Sequence, residues 1–177
     1  MKTILIFFVI IIAIIAIIQT YIAMASTKSE TQPYQVVMSE KEFEIRNYPA
    51  ATIATISSKV STYKELGSSG FKKLAGYIFG GNSEEKQIAM TSPVIMNMND
   101  SGSTMSFVMP SKYNESNLPK PKNSEVVIST TANEYVAAIT FGGYASDSNI
   151  KEYSEKLEKA LKNASISTSS ASSWVLT

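Results

Sequence analysis

The sequence predicts an α+β fold behind an N-terminal hydrophobic helix. Three observations lead there. Short segments of period-two alternation are interrupted by two segments of helical period. The order is strands, helix, strands, then strands, helix and a final stub, which suggests two similar halves. About 150 residues remain after the apolar start, enough for one domain to close its own core.

The first element is the apolar one. Lys2 precedes 15 apolar residues, Ile4 to Ile18, and Gln19-Thr20-Tyr21 then interrupts the run. Residues 4–22 are long enough to be read as a single-pass membrane anchor, since crossing the hydrocarbon core takes ~20 apolar residues. Lys2 favours an N-inside signal-anchor, with the domain outside the cytoplasm. The alternative is a cleaved signal peptide cut after Ala25, which leaves a secreted or periplasmic protein. The expected organisation is therefore 1–25 anchor or signal peptide, 26–33 linker and 34–177 folded domain.

Strands are expected at 34–38, with Tyr34, Val36 and Met38 on one face, and at 42–46, with Phe43 and Ile45 inward; the two make a hairpin. Residues 51–57 form a strand buried on both faces. A helix follows over 62–79, where Phe71, Leu74, Ala75 and Ile78 make the apolar stripe and Lys72 and Lys73 the outer face. Gly80-Gly81-Asn82 stops it in a left-handed turn. Strands then fall at 87–91, 94–98 and 104–109, with Asn99–Ser103 as a turn. The segments 125–130 and 135–141 form a hairpin, with Tyr135, Ala137, Ile139 and Phe141 on one face. A second helix runs over 148–162 on Ile150, Tyr153, Leu157 and Leu161, capped by Asp147 or Ser148. Ser165–Ser173 is a loose Ser-rich stretch, and Trp174–Thr177 a short strand.

Composition narrows the function. There are 16 Lys+Arg against 15 Asp+Glu, and no basic stripe accumulates, so nucleic acid is not a partner. Cys and His are both absent, which removes thiol chemistry, Ser-His-Asp and zinc-hydrolase sites, and the usual proximal ligand of haem iron. Glu84-Glu85 sits in a polar turn, where nothing raises a carboxyl pKa for glycosidase work. The glycine pairs lack phosphate-loop spacing. No catalytic set and no metal site is expected, so the protein is not read as an enzyme.

Six stretches together carry a resemblance: Phe43-Glu-Ile-Arg-Asn-Tyr-Pro-Ala-Ala51, Gly70-Phe-Lys-Lys-Leu-Ala-Gly-Tyr-Ile-Phe-Gly-Gly-Asn82, Lys86-Gln-Ile-Ala-Met-Thr-Ser-Pro-Val94, Phe107-Val-Met-Pro110, Leu118-Pro-Lys-Pro121 and Ile139-Thr-Phe-Gly-Gly-Tyr-Ala145. In this order and spacing the chain resembles the SOUL haem-binding protein family over about 34–162. The resemblance implies a distorted antiparallel β-barrel of two pseudo-repeated halves with two flanking helices. It also implies a hydrophobic cleft beside the first of these helices that binds haem or a related tetrapyrrole without a known reaction. The chain departs from the family in two ways. It lacks the axial His that some members have, which points to hydrophobic capture. It also stops at Thr177, where the family continues through a Tyr-x-Pro-Pro turn, so the last strands are expected to be missing and an open sheet edge would allow oligomerisation.

A tetrapyrrole is a flat apolar disc with carboxylates on one rim, and it needs an apolar slot with a cation at the mouth. Met90, Met96, Met98, Met105 and Met109 are candidate walls, because thioethers adapt to flat ligands. Phe71, Leu74 and Ile78 offer the helix side, and Tyr77 the mouth. Arg46, Lys72 and Lys73 could pair with propionates. Each of these also has an ordinary reading, as core filler or solvated face. The alternatives to tetrapyrrole binding are a different amphiphile, such as a lipid or effector, and a truncated copy with weak or no binding.

Overall fold

The computed structural model describes residues 2–26, 29–60, 62–99, 102–168 and 173–176. The chain divides into two compact units, Met1–Glu30 and Thr31–Thr177. Its elements are α1 (Lys2–Ser26), β1 (Glu30–Thr31), β2 (Gln35–Ser39), β3 (Glu44–Tyr48), β4 (Thr52–Ser58), α2 (Tyr63–Ile78), β5 (Thr91–Ser92), β6 (Val94–Asn99), β7 (Gly102–Val108), β8 (Val127–Thr130), β9 (Glu134–Ala138), α3 (Asp147–Asn163) and β10 (Ser173–Leu176). The expected linker at 26–33, the turn at 99–103, the Ser-rich stretch at 165–173 and the terminal Thr177 fall wholly or partly outside the described residues.

The membrane reading is corrected. Among the described residues no helix is long and apolar enough to cross a membrane. This overturns the transmembrane signal-anchor, the membrane partner at 4–22 and the single-pass localisation.

In the second unit, β10-β6-β7-β4-β8 form a five-stranded sheet and β2-β3-β9 a three-stranded one. All their pairings are antiparallel. Neither sheet closes on itself. The hairpin expected between 125–130 and 135–141 is not made: β8 pairs with β4, and β9 with β3. The reason lies in the link between them. Tyr48 opposes Glu134 and Thr52 opposes Thr130, so no residue is gained or lost between the two ladders. The Thr131 N–H donates to the Ala51 carbonyl at 2.8 Å, and the Ala51 N–H to Thr131 Oγ1 at 3.0 Å. Residues 44–55 and 127–138 thus make one long antiparallel ribbon, interrupted at Pro49 and shared by both sheets.

Each helix packs on one part of that ribbon. α2 starts at Thr62, whose hydroxyl accepts from the Glu65 N–H and donates to the Glu65 carboxylate, a reciprocal cap. It ends where Gly80 takes φ of 107°, a conformation that glycine adopts without strain. Its buried side is Leu66, Gly70, Leu74, Tyr77 and Ile78. That side lies against Ala54 and Ile56 of β4, Met96 of β6, and Met105 and Phe107 of β7. The centre is turned from the expected stripe because Gly70 sits at the contact: a Cβ there would lie 3.0 Å from Ile56 Cδ1 and 3.3 Å from Met105 Sδ. α3 is capped by the Ser146 hydroxyl rather than by Asp147 or Ser148. Its Leu157, Ala160 and Leu161 pack on Phe43, Ile45 and Ala137, and its Tyr153 stacks on Phe141 with ring centres 4.1 Å apart. Asp147 Oδ1 accepts from the Tyr63 N–H at 2.6 Å, which ties the start of α3 to the start of α2.

Two of the three glycines of α2, Gly67 and Gly70, should respond oppositely in urea titrations. Nothing lies within 4 Å of a Cβ built at Gly67, so Gly67→Ala should stabilise by up to about 1 kcal/mol through helix propensity. Gly70→Val should destabilise by roughly 1–3 kcal/mol, because the contact has no space for it.

Candidate ligand-binding site

The sides of α2 differ. On the β8 side, Lys73 Nζ lies 2.7 Å from Glu125 Oε1. The Lys73 ammonium holds that carboxyl below the usual carboxylate range by hydrogen bond and charge. On the β7 side, Phe71 sets its ring edge on Phe107, with centres 5.3 Å apart. Phe107 opposes Val94 of β6, which is half-buried. This second flank is apolar and open. Phe71 keeps 40% of its surface exposed, Phe79 63% and Met90 36%.

Backbone bonds hold the flank together. Phe79 and Gln87 form an antiparallel bridge, and the Ile88 N–H donates to the Ile78 carbonyl at 2.8 Å. Residues 86–90 therefore run beside the end of α2. Thr91 Oγ1 donates to the Val108 carbonyl, which brings the far end of this segment to β7. Buried Asn82 secures the turn: its amide donates to the Tyr77 and Lys86 carbonyls, and its Oδ1 accepts from the Glu84 and Lys86 N–H groups.

The structure divides the residues expected at the slot into three groups. Leu74, Tyr77, Ile78, Met96, Met105 and Met109 are buried and fill the interior between α2 and the sheet. They meet one another there. Tyr77 does not form a mouth: its hydroxyl donates to the Pro119 carbonyl at 3.0 Å, and burial, with the nearby Tyr113, pushes its pKa up to about 12. Phe71, Met90 and Met98 are at or near the surface, with Met98 half-buried against the core. Lys72 is exposed on α2. Arg46 stands apart on β3, 2.8 Å from Glu44 and 4.6 Å above the Tyr34 ring, with the Tyr48 ring tilted against Tyr34. The structure does not bring Arg46 and Lys72 together. Phe79 was missed: it falls just past the expected helix stripe, where periodicity gives no signal.

A separate hollow of about 480 Å³ lies at the end of α3, between Leu161, Ile166, Ser165 and Thr168. Its lining includes Glu158 and hydroxyls and no aromatic ring, so it suits a flat apolar disc less well than the α2 flank. Among the described residues no group of three or more carboxylates could hold a metal ion.

Comparison with known proteins gives the family. A family model described as SOUL heme-binding protein matches residues 29–176. The chain belongs to the SOUL heme-binding protein family. Relatives include Heme-binding protein 2 of Mus musculus, 31% identical over 118 residues, 62% of this chain and 57% of the relative. Heme-binding protein 2 of Homo sapiens is 32% identical over 111 residues, 59% of this chain and 54% of the relative. Heme-binding protein 1 of Xenopus laevis is 27% identical over 126 residues, 67% of this chain and 66% of the relative. The matched part thus spans little more than half the length of the two Heme-binding protein 2 relatives. The family match supports haem or tetrapyrrole binding at the level of the family.

Tyr77 makes the site's support titratable. Its folded pKa lies above the unfolded value of 10.0, so folding favours the neutral phenol. The stability this contributes is complete below pH 10 and is lost as pH rises towards about 12. In alkaline urea melts Tyr77→Phe should remove that part of the fall. Near neutral pH it should cost about 1 kcal/mol, because the Pro119 carbonyl loses its donor.

Proposed function

We propose that this protein binds haem or a related tetrapyrrole by hydrophobic capture on the open flank of α2, without a His ligand and without catalysing a reaction on it. The match to the SOUL heme-binding family over residues 29–176 carries this reading. The exposure of Phe71, Phe79 and Met90 supports the choice of that flank. The two helix-on-sheet modules are read as the two pseudo-repeated halves of a distorted barrel, and the ligand as lying on the outside of the first.

The residues fit the ligand's chemistry. A macrocycle face would cover Phe71 and Phe79, with the thioethers of Met90 and Met98 at its edge and Val94 beneath. Covering one such aromatic side chain contributes about 1.5–3 kcal/mol. Lys72, on the same helix, stands where a rim carboxylate can reach it. Haem supplies iron and a conjugated ring; the chain supplies an apolar seat that keeps water from one face. With no imidazole in the sequence, affinity would depend little on iron. Haem and iron-free protoporphyrin IX should then bind alike.

Titrating the full chain with haem should move the Soret band at micromolar ligand. Phe71→Ser with Phe79→Ser should weaken binding at least 10-fold while the protein still melts cooperatively. An unmoved Soret band would remove the tetrapyrrole reading. Competition by fatty acid with no porphyrin response would favour a different amphiphile.

A further inference from the structure

Two lysines converge on one ring beside the proposed seat. Lys86 Nζ lies 5.4 Å and Lys112 Nζ 5.2 Å from the ring centre of Tyr113. Among the described residues, neither has a carboxylate in ion-pair range, whereas Lys73, Lys122, Lys151 and Lys156 each do. Two like charges around one ring repel, and a cation–π contact at an exposed site offsets little of that.

Both lysines nevertheless start from a fixed backbone. The Lys86 backbone is fixed on both sides by buried Asn82, which donates to its carbonyl at 2.7 Å and accepts from its N–H at 3.1 Å. The Asn117 amide donates to the Lys112 carbonyl at 3.1 Å, and the Tyr113 N–H to the Pro110 carbonyl at 2.9 Å. Tyr113 itself belongs to the core under α2. Lys86 also begins the segment whose Gln87 bridges to Phe79 and which ends at exposed Met90. A positive pair on a fixed aromatic base therefore adjoins an apolar surface.

From this juxtaposition we infer that Lys86 and Lys112, over Tyr113, form an anchor for a dianionic rim, and that this protein selects amphiphiles carrying two carboxylates beside a flat apolar body. The inference rests on the tetrapyrrole reading and adds to it which end of the ligand points where. The two carboxylates meet Lys86 Nζ and Lys112 Nζ, and the ring system runs towards Phe79 and Met90. Lys72 then serves at most as a secondary contact.

The test compares protoporphyrin IX with its dimethyl ester on the full chain, in the wild type and in Lys86→Gln/Lys112→Gln. The expected result is a roughly 10-fold weaker affinity of the double variant for the diacid, from two charge-assisted contacts at a wet site, with its ester affinity unchanged. The salt dependence of diacid binding should also fall. Equal diacid affinity in both proteins, or equal loss of diacid and ester, overturns the anchor. If the double variant fails to fold, each single variant should weaken the diacid about 3-fold, and no weakening from either overturns it. If the wild type binds neither porphyrin, the tetrapyrrole reading falls and glutarate decides the anchor alone. Movement of the Tyr113 ring resonances in the wild type and not in the variant keeps the anchor, and stationary resonances sink it.

Discussion

The contact at Gly70 governs the rest of the second unit. Because position 70 has no side chain, α2 settles directly on Ile56 and Met105, and Leu74 and Tyr77 follow it into the interior. Among the described residues, the side chains between helix and sheet pack on one another. That approach also sets the rotation of α2, and the rotation decides what reaches the surface. Phe71 is turned to one flank, on Phe107, and Lys73 to the other, on Glu125. The open apolar flank is a consequence of the closed core.

This moves the ligand reading from inside to outside. A fully packed interior cannot admit a macrocycle without first separating α2 from β4, β6 and β7, and each large side chain exposed in that way costs about 1.5–3 kcal/mol. A seat on the flank requires no such opening. It asks only that Phe71, Phe79 and Met90 exchange water for a ring face. Beside it, Asn82 and Asn117 fix the backbone of the two lysines over Tyr113. The apolar and charged parts of the surface are thus held by neighbouring side-chain-to-backbone bonds.

Much of this was legible in the residues. The span of α2 and the β2–β3 and β6–β7 pairings follow from periodicity and turn chemistry alone, and so does the inward side of Phe43 and Ile45. The family resemblance was carried by short stretches at fixed spacing, and the family model bears it out. The hairpin expected across 131–134 was misread because local alternation says nothing about which partner a strand takes; the shared ribbon with β3 and β4 is a long-range pairing. The stripe on α2 was off by one step because Gly70, which has no side chain, leaves no apolar signal of the contact it makes. The methionines could be recognised as apolar but not sorted into core and surface, since Met96 and Met90 look alike in sequence. Lys86 and Lys112 are 26 positions apart, and only the fold brings them to one ring. The membrane anchor was inferred from apolar length alone, and among the described residues no helix meets that requirement.

The methionine methyl groups report most directly on whether the ligand lies on the flank or in the core. In NMR spectra of the full chain labelled at its 8 methionines, a diamagnetic porphyrin should shift the methyl of Met90, and that of Met98 less, through its ring current. The methyls of Met96, Met105 and Met109 should stay in place. Large shifts at Met96 and Met105 with Met90 unmoved would contradict the account, because they would place the macrocycle between α2 and the sheet.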